Sequence, residues 1–163
     1  MEDIVRDARP EDALRVHEIM VADHTMTGTM RVPHQPLEYT QNRMASDPAV
    51  FKLVAMRDGK VAGYAELVTA PDAARHSHVG EINMICVHPD SLRKGVARQL
   101  MAEMIRMSDD WLRLKRLGLY VWTDNSGAIS LYQEFGFEVE GTLWAYVWRK
   151  GEFLDAHVMG RIV

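Results

Sequence analysis

The chain has 163 residues with 47% hydrophobic and 26% charged residues, one cysteine and a net charge of −4, a composition that suits one soluble domain spanning 1–163 with a core of its own. The acidic balance gives no bulk attraction to nucleic acid or to an anionic membrane, and no apolar run approaches the roughly 18 residues of a membrane span. A single cysteine makes no internal disulfide, and the acidic Met1-Glu2-Asp3 has no apolar segment behind it, so no signal peptide and a cytoplasmic location are expected.

Residues 4–8 read as a short strand, and Pro10 with Glu11 and Asp12 opens a helix running to about Ala22. Residues 23–36 hold Thr25, Thr27, Gly28, Thr29 and two prolines with no period; this predicts a long loop, a kind of segment that often carries function. A second helix is predicted over 37–45, stopped before Pro48. Strand-like runs 51–57 and 60–68 flank Asp58-Gly59, a strong hairpin signal. After a loop at 71–77, a mostly apolar strand covers 80–87, and His88-Pro89-Asp90-Ser91 ends it. Val96, Leu100, Met104 and Met107 recur at helical spacing, and no breaker intervenes before about Leu114. A strand at 117–122, a helix at 126–135 stopped by Gly136, and an antiparallel pair at 137–148 and 152–163 complete the chain. The order predicts an α/β fold, a mixed central sheet flanked by helices.

The stretch 80–100 organises the rest. A strand, a basic turn with Arg93, Lys94 and Gly95, and a helix starting at Val96, Ala97 and Arg98 make an anion cradle. Helix N-terminal N–H groups lack intrahelical partners, the dipole favours negative charge there, and a glycine lets a phosphate approach the backbone.

Val87-His88-Pro89 followed by Gly95-x-Ala97 resembles the acyl-CoA-binding motif of the GNAT acyltransferase superfamily, usually Q/R-x-x-G-x-G/A. Asn125-Ser126-Gly127-Ala128-Ile129-Ser130-Leu131-Tyr132-x-x-x-Gly136-Phe137 resembles its second signature, and residues 4–13 resemble its first strand and helix. One departure is Leu92, where the motif has Gln or Arg; the cations fall at Arg93 and Lys94 instead. The resemblance implies a single-domain GNAT-type fold whose central strands splay, with the pantetheine arm of acetyl-CoA in the gap. It implies cofactor contacts along Ile85, Cys86 and Val87, at the turn and helix start 93–98, and at Asn125, Ala128 and Tyr132. It also implies that a backbone amide on the central strand, here that of Val87, polarises the thioester.

Acyl transfer to an amine needs a proton acceptor, and the resemblance points to Glu81, eleven residues before Leu92. A solvated carboxylate at a strand end, with ordered water as the base, is the competing reading. Asn83 shares a face with Glu81 by alternation and is placed to hold such a water. Tyr132 is the acid candidate, a phenol facing the departing thiolate; the competing reading is a helix tyrosine packed on the sheet. Asn125 serves the pantetheine arm, caps its helix, or does both. Cys86 reads as a buried apolar residue, because a thiol nucleophile needs a base nearby. His76 and His78 lack a third ligand, so no metal is expected. Trp144, Tyr146 and Trp148 alternate along the penultimate strand and form either an acceptor wall or a sheet-face or dimer cluster.

Segments at 32–34, 110–113, 125–129, 135–142 and 151–156 further resemble a bacterial L-amino-acid N-acetyltransferase subgroup. The implied reaction moves an acetyl group from acetyl-CoA to the amine of a small acceptor, an L-amino acid, by direct attack in a ternary complex. Arg31 in the long loop is the candidate for an α-carboxylate, with His34 as a neighbour. A homodimer is suggested by family habit and the aromatic final strands. The rival readings are a peptide or protein N-terminal acetyltransferase and a non-catalytic acyl-CoA-binding module.

Overall fold

The computed structural model describes residues 4–163; Met1-Glu2-Asp3, on which the signal-peptide reading rests, lies outside the described residues. The chain forms β1 (Ile4–Asp7), a 3-10 turn at Pro10–Asp12, and helices α1 (Ala13–Met20), α2 (Asp23–Gly28) and α3 (Leu37–Met44). Three strands follow, β2 (Val50–Arg57), β3 (Lys60–Thr69) and β4 (Val79–Val87), then α4 (Val96–Asp110) and β5 (Arg116–Trp122). The chain closes with α5 (Ser126–Glu134), β6 (Glu138–Arg149) and β7 (Glu152–Ile162).

The seven strands make one sheet in the order β1-β2-β3-β4-β5-β7-β6. Its two faces are covered by different helices. Val96, Leu100, Met101 and Met104 of α4 pack on Leu53, Ala65, Leu67 and Leu117, while Val16, Ile19 and Met20 of α1 pack on Val54, Tyr64, Met84 and Cys86. Each fully buried Leu, Ile or Met removes enough apolar area from water for about 1.5–3 kcal/mol, so the helices are held by these stripes rather than by their loops. Gly63 sets how close α4 comes: a Cβ there would meet Val96 Cγ1 at 2.6 Å and Leu100 Cδ1 at 2.9 Å.

All neighbouring strands are antiparallel except β4 and β5, which pair in parallel at Val79, Gly80 and Glu81 against Arg116, Leu117 and Gly118 and then part. Beyond that point β4 keeps β3 as a partner to Val87, and β5 keeps β7 to Trp122. Each strand therefore has one satisfied edge and one free edge, and the free edges face each other across a wedge.

A bulge governs what β4 presents. Leu67 is opposite Ile82 but Glu66 is opposite Met84, which leaves Asn83 as the extra residue. Below the bulge Ile82 packs with the α4 layer; above it Met84 and Cys86 pack with the α1 layer and Ile85 and Val87 with the α4 layer. A bulge reverses the facing of everything beyond it, so simple alternation does not carry across Asn83.

Three boundaries differ from expectation. The first helix ends at Met20, and the segment read as loop begins with the six-residue α2; Ala22 is extended (φ −65°, ψ 140°) and separates the two. Six residues are too few for a hydrophobic period to show. Helix α4 stops at Asp110 rather than near Leu114, because Arg113 turns left-handed (φ 53°) and Leu114 N–H returns to Ser108 O at 2.9 Å, which buries Leu114. The alternation of Trp144, Tyr146 and Trp148 is broken by a register shift between Leu143 and Val147, where Ala145 has φ 47° and donates its N–H to Asp155 Oδ1 at 2.8 Å.

Candidate active site

The wedge between β4 and β5 holds a cavity of ≈ 340 Å³. His88 N–H donates to Ala62 O at 2.7 Å on β3; counting back by two, Cys86 also faces β3, and Ile85 and Val87 turn their N–H and C=O groups into the wedge. His24 of α2 confirms the direction: its Nε2–H donates to Val87 O at 2.8 Å from across the opening. A carbonyl only accepts, so this bond fixes the His24 tautomer.

At the wide end lies the start of α4. Gly95 has φ 82°, makes no side-chain cap, and a Cβ on it would meet nothing within 4 Å, so the turn is open. The first amide to find a carbonyl in the helix is Gln99 N–H, bonded to Gly95 O at 3.0 Å. The N–H groups of Val96, Ala97 and Arg98, in the first turn of α4, have no intrahelical partner. The cations around it are partly committed. Lys94 Nζ donates to Asp90 O at 2.8 Å, and Arg98 pairs with Glu134 of α5 at 2.5 Å. Arg93 is exposed, with φ 59°. Leu92, at the position of the motif's Gln or Arg, is a wall of the cavity.

Helix α5 supplies the opposite wall with Asn125, Ala128 and Tyr132. Asn125 Oδ1 accepts from Ala128 N–H at 3.3 Å, so it caps the helix and lines the cavity at once. Burial, with Cys86 nearby, pushes the Tyr132 phenol up to about 12, which keeps it a neutral donor. Burial likewise pushes the Cys86 thiol up to about 12. A wall cysteine in that state is no nucleophile.

The cavity continues past Asn83 into a second space of ≈ 260 Å³ lined by Arg31, Tyr39, Arg43, Asn83 and Trp122; Gly28, Thr29, Asn83, Met84 and Tyr120 border both. Arg31 Nε donates to Met20 O at 3.1 Å and its guanidinium lies 5.2 Å from the Tyr39 ring centre. Its Nη1 and Nη2 are buried with no hydrogen-bond partner among the described residues, as is Trp122 Nε1. Burial, and then the neighbouring Arg43, pull the Arg31 guanidinium below the ordinary arginine range. Arg43 itself is neutralised: its Nε and Nη2 donate to the two Glu66 oxygens at 2.7 and 2.8 Å. Thr29, Met30 and Arg31 lead on to a third space of ≈ 500 Å³, walled by Met26, Val32, Pro33, Tyr146 and Trp148.

The family model described as Acetyltransferase (GNAT) family matches residues 14–137. The chain belongs to the GNAT acetyltransferase family. It is 38% identical over 159 residues, 98% of this chain and 97% of the relative, to L-amino acid N-acetyltransferase AaaT of Escherichia coli (strain K12). Phosphinothricin N-acetyltransferase of Alcaligenes faecalis is 26% identical over 161 residues, 96% of this chain and 81% of its own. Among solved structures, a GNAT-family phosphinothricin acetyltransferase from Sinorhizobium meliloti in complex with AcCoA aligns with a TM-score of 0.85 at 22% identity, covering 100% of this chain and 89% of that one.

Set out along the GNAT wedge, the expected residues divide into two groups. Ile85, Cys86, Val87, Ala97, Asn125, Ala128 and Tyr132 come together on the wedge cavity, and Asn83 joins it to the Arg31 space. Glu81 lines neither: it stands where β4 and β5 still pair, opposite Gly118, on a hollow beside His76 that shares only Tyr120 with the two spaces. His34 is exposed, has φ 65° and borders none of the three spaces. Tyr146 stacks on Tyr120 (5.7 Å between ring centres) and Trp148 borders the third space, while Trp144 is 85% exposed away from them. Sequence reasoning missed His24 and Thr25, hidden in a helix too short to show a period, and Arg43 and Glu66, whose partnership is long-range. Among the described residues no group of three or more His, Cys, Asp or Glu is placed to hold a metal ion, and no helix is long and apolar enough to cross a membrane.

Proposed function

We infer that the protein transfers an acetyl group from acetyl-CoA to the α-amine of an L-amino acid with an apolar side chain. The observation that carries this reading is Arg31: a guanidinium with two buried nitrogens that nothing among the described residues satisfies. Buried donors of that kind are expensive to leave unpaired, and a carboxylate answers two of them at once. The neighbouring space with Met26, Met30, Val32, Pro33, Tyr146 and Trp148 suits the acceptor's side chain. The relative named as an L-amino acid N-acetyltransferase, alike over nearly the whole of both chains, supports the same acceptor class.

The residues present fit acetyl-CoA. The free edge of β4 at Ile85 and Val87 suits an amide-bearing arm, and the open turn at Gly95 with the α4 amides suits its phosphates. Bound there, acetyl-CoA supplies an activated thioester. The Val87 amide polarises the carbonyl from the wedge, the amine attacks from the Asn83 side, and the Tyr132 phenol donates to the sulfur as the C–S bond breaks and the C–N bond forms. The amine's proton leaves through water held near Asn83, since Glu81 stands at the foot of the wedge. Direct attack is favoured over an acyl-enzyme because the Cys86 thiol is held protonated. The exposed aromatics of the edge strand β6, such as Trp144, support a homodimer.

The test is acceptor-dependent release of free thiol from acetyl-CoA across L-amino acids, polyamines and short peptides. Turnover is expected on apolar and aromatic L-amino acids. Turnover confined to peptides or polyamines would overturn the acceptor class and leave the fold untouched.

A further inference from the structure

The carboxylate end of the acceptor has Arg31; the amine end has a receptor too. Glu66 is 3% exposed, yet it accepts four hydrogen bonds: from Arg43 Nε at 2.7 Å and Nη2 at 2.8 Å, from Tyr64 OH at 2.9 Å, and from Asn83 Nδ2 at 2.9 Å. A carboxylate only accepts, so the nitrogen of the Asn83 amide is committed to Glu66 and Oδ1 is the atom left over. Asn83 is the bulged residue of β4, and it borders both the cofactor cavity and the Arg31 space. Its exposed side chain therefore stands where an amine must lie if the carboxylate beside it is on Arg31 and the thioester is in the wedge.

We propose that Glu66, acting through Asn83, is a positioning residue that holds the amine pole of a zwitterionic acceptor, so that the site reads carboxylate and ammonium together. This rests on the amino-acid reading above. The charged and titratable groups facing Glu66 are Tyr64 on its own strand, Arg43 from α3, Lys52 opposite it on β2 with its ammonium turned to Ala45 O, Cys86 of β4, and, across the cavity, Arg31 and Tyr39. Arg43 and Glu66 cancel, which leaves Arg31 as the anion-binding pole and gives the ammonium a neutral-to-negative neighbour rather than a second cation. Like charges at the two ends would repel one partner of the zwitterion. The same geometry disfavours polyamines, which offer no carboxylate to Arg31.

The experiment compares wild type with Asn83→Leu and Glu66→Gln in steady-state acetylation of an apolar L-amino acid across neutral to alkaline pH, with melting curves and the acetyl-CoA KM as controls. Asn83→Leu is expected to raise the acceptor KM about tenfold or more, a larger factor than any change in the acetyl-CoA KM. Glu66→Gln is expected to do the same at neutral pH, and the rise should shrink as the pH passes the acceptor's own amine pKa, because a neutral amine needs no counter-charge. A purely structural role would not follow the acceptor's titration. An unchanged acceptor KM in the folded variants, or a rise independent of pH, overturns the proposal. Should Glu66→Gln fail to fold with Arg43 left unpaired, Asn83→Leu decides alone, since Glu66 there keeps Arg43 and Tyr64. Wild type that acetylates no α-amino acid overturns the parent reading instead, so the two failures are distinct.

Discussion

Replacing Arg31 with Met separates binding from folding. The methionine keeps the apolar stem that passes over Tyr39 and removes the guanidinium. On the binding side, a bidentate contact between a buried guanidinium and a carboxylate is worth about 3 kcal/mol, or roughly 150-fold in acceptor KM. On the folding side, the lost Nε bond to Met20 O is worth about 1 kcal/mol and the lost stacking on Tyr39 about 0.5–1 kcal/mol. Against them stands the relief of two buried, unpartnered nitrogens, at about 1–3 kcal/mol each, and of repulsion from Arg43. The apo protein should therefore melt at or above the wild-type temperature while the acceptor KM rises about a hundredfold and the acetyl-CoA KM stays constant. Calorimetry and steady-state kinetics read both. An acceptor KM that does not move, or a loss of about 3–5 kcal/mol as for a broken buried ion pair, would refute the reasoning.

Tyr132→Phe should lower kcat about ten- to a hundredfold with a normal melting temperature. Because burial holds the phenol up to about 12, its proton is in place at every pH below that, so the wild-type rate should show no falling limb from this residue near pH 10; a limb there that vanishes in Tyr132→Phe contradicts the assignment. The folded-state value is raised above the unfolded one, so this residue's contribution to stability is complete below about pH 10 and declines as the pH rises towards about 12. Cys86 should resist alkylation at pH 8 until the protein is unfolded, its thiol being buried and held up to about 12; rapid labelling of native protein would reopen covalent catalysis. Gly63→Ala should cost about 1–3 kcal/mol and weaken acetyl-CoA binding, because its Cβ would press on Val96 and Leu100 at the start of α4; unchanged melting and binding would show that α4 does not depend on that close approach.

Much of the wedge lining was legible in the sequence because its determinants are local. Gly95 needs a positive φ, α4 begins one residue later, and Asn125 caps the helix that carries Ala128 and Tyr132; each is set by neighbours within a few positions. The Asp58-Gly59 turn and its hairpin follow from the same kind of information, with Asp58 at φ 50° and Gly59 at φ 74°. The acceptor half was legible only in part. Arg31 stood out as a cation in a stiff loop, yet nothing in its neighbourhood shows that two of its nitrogens end up buried and unpaired, since that depends on Met20, Tyr39 and Arg43 arriving from other elements. His34, three residues on in the same loop, is exposed and borders none of these spaces.

Glu81 and Glu66 show the division most clearly. From sequence, Glu81 on the central strand looked like the carboxylate of the site, and Glu66 was an unremarked member of a hairpin strand. The fold pairs Glu81 at the closed foot of the wedge and buries Glu66 behind Asn83, because one extra residue in β4 shifts the facing of everything beyond it. Periodicity, turn chemistry and helix caps depend on contacts a few residues apart, and the sequence alone determined them: the strands, the open glycine turn before α4 and the helix bearing Tyr132. The depth of the wedge, the bulge at Asn83, and the meeting of Arg31, Arg43 and Glu66 across up to 35 positions of chain depend on which strand finds which edge. Only the tertiary structure decided these, because long-range pairing and burial set them and no local pattern records either.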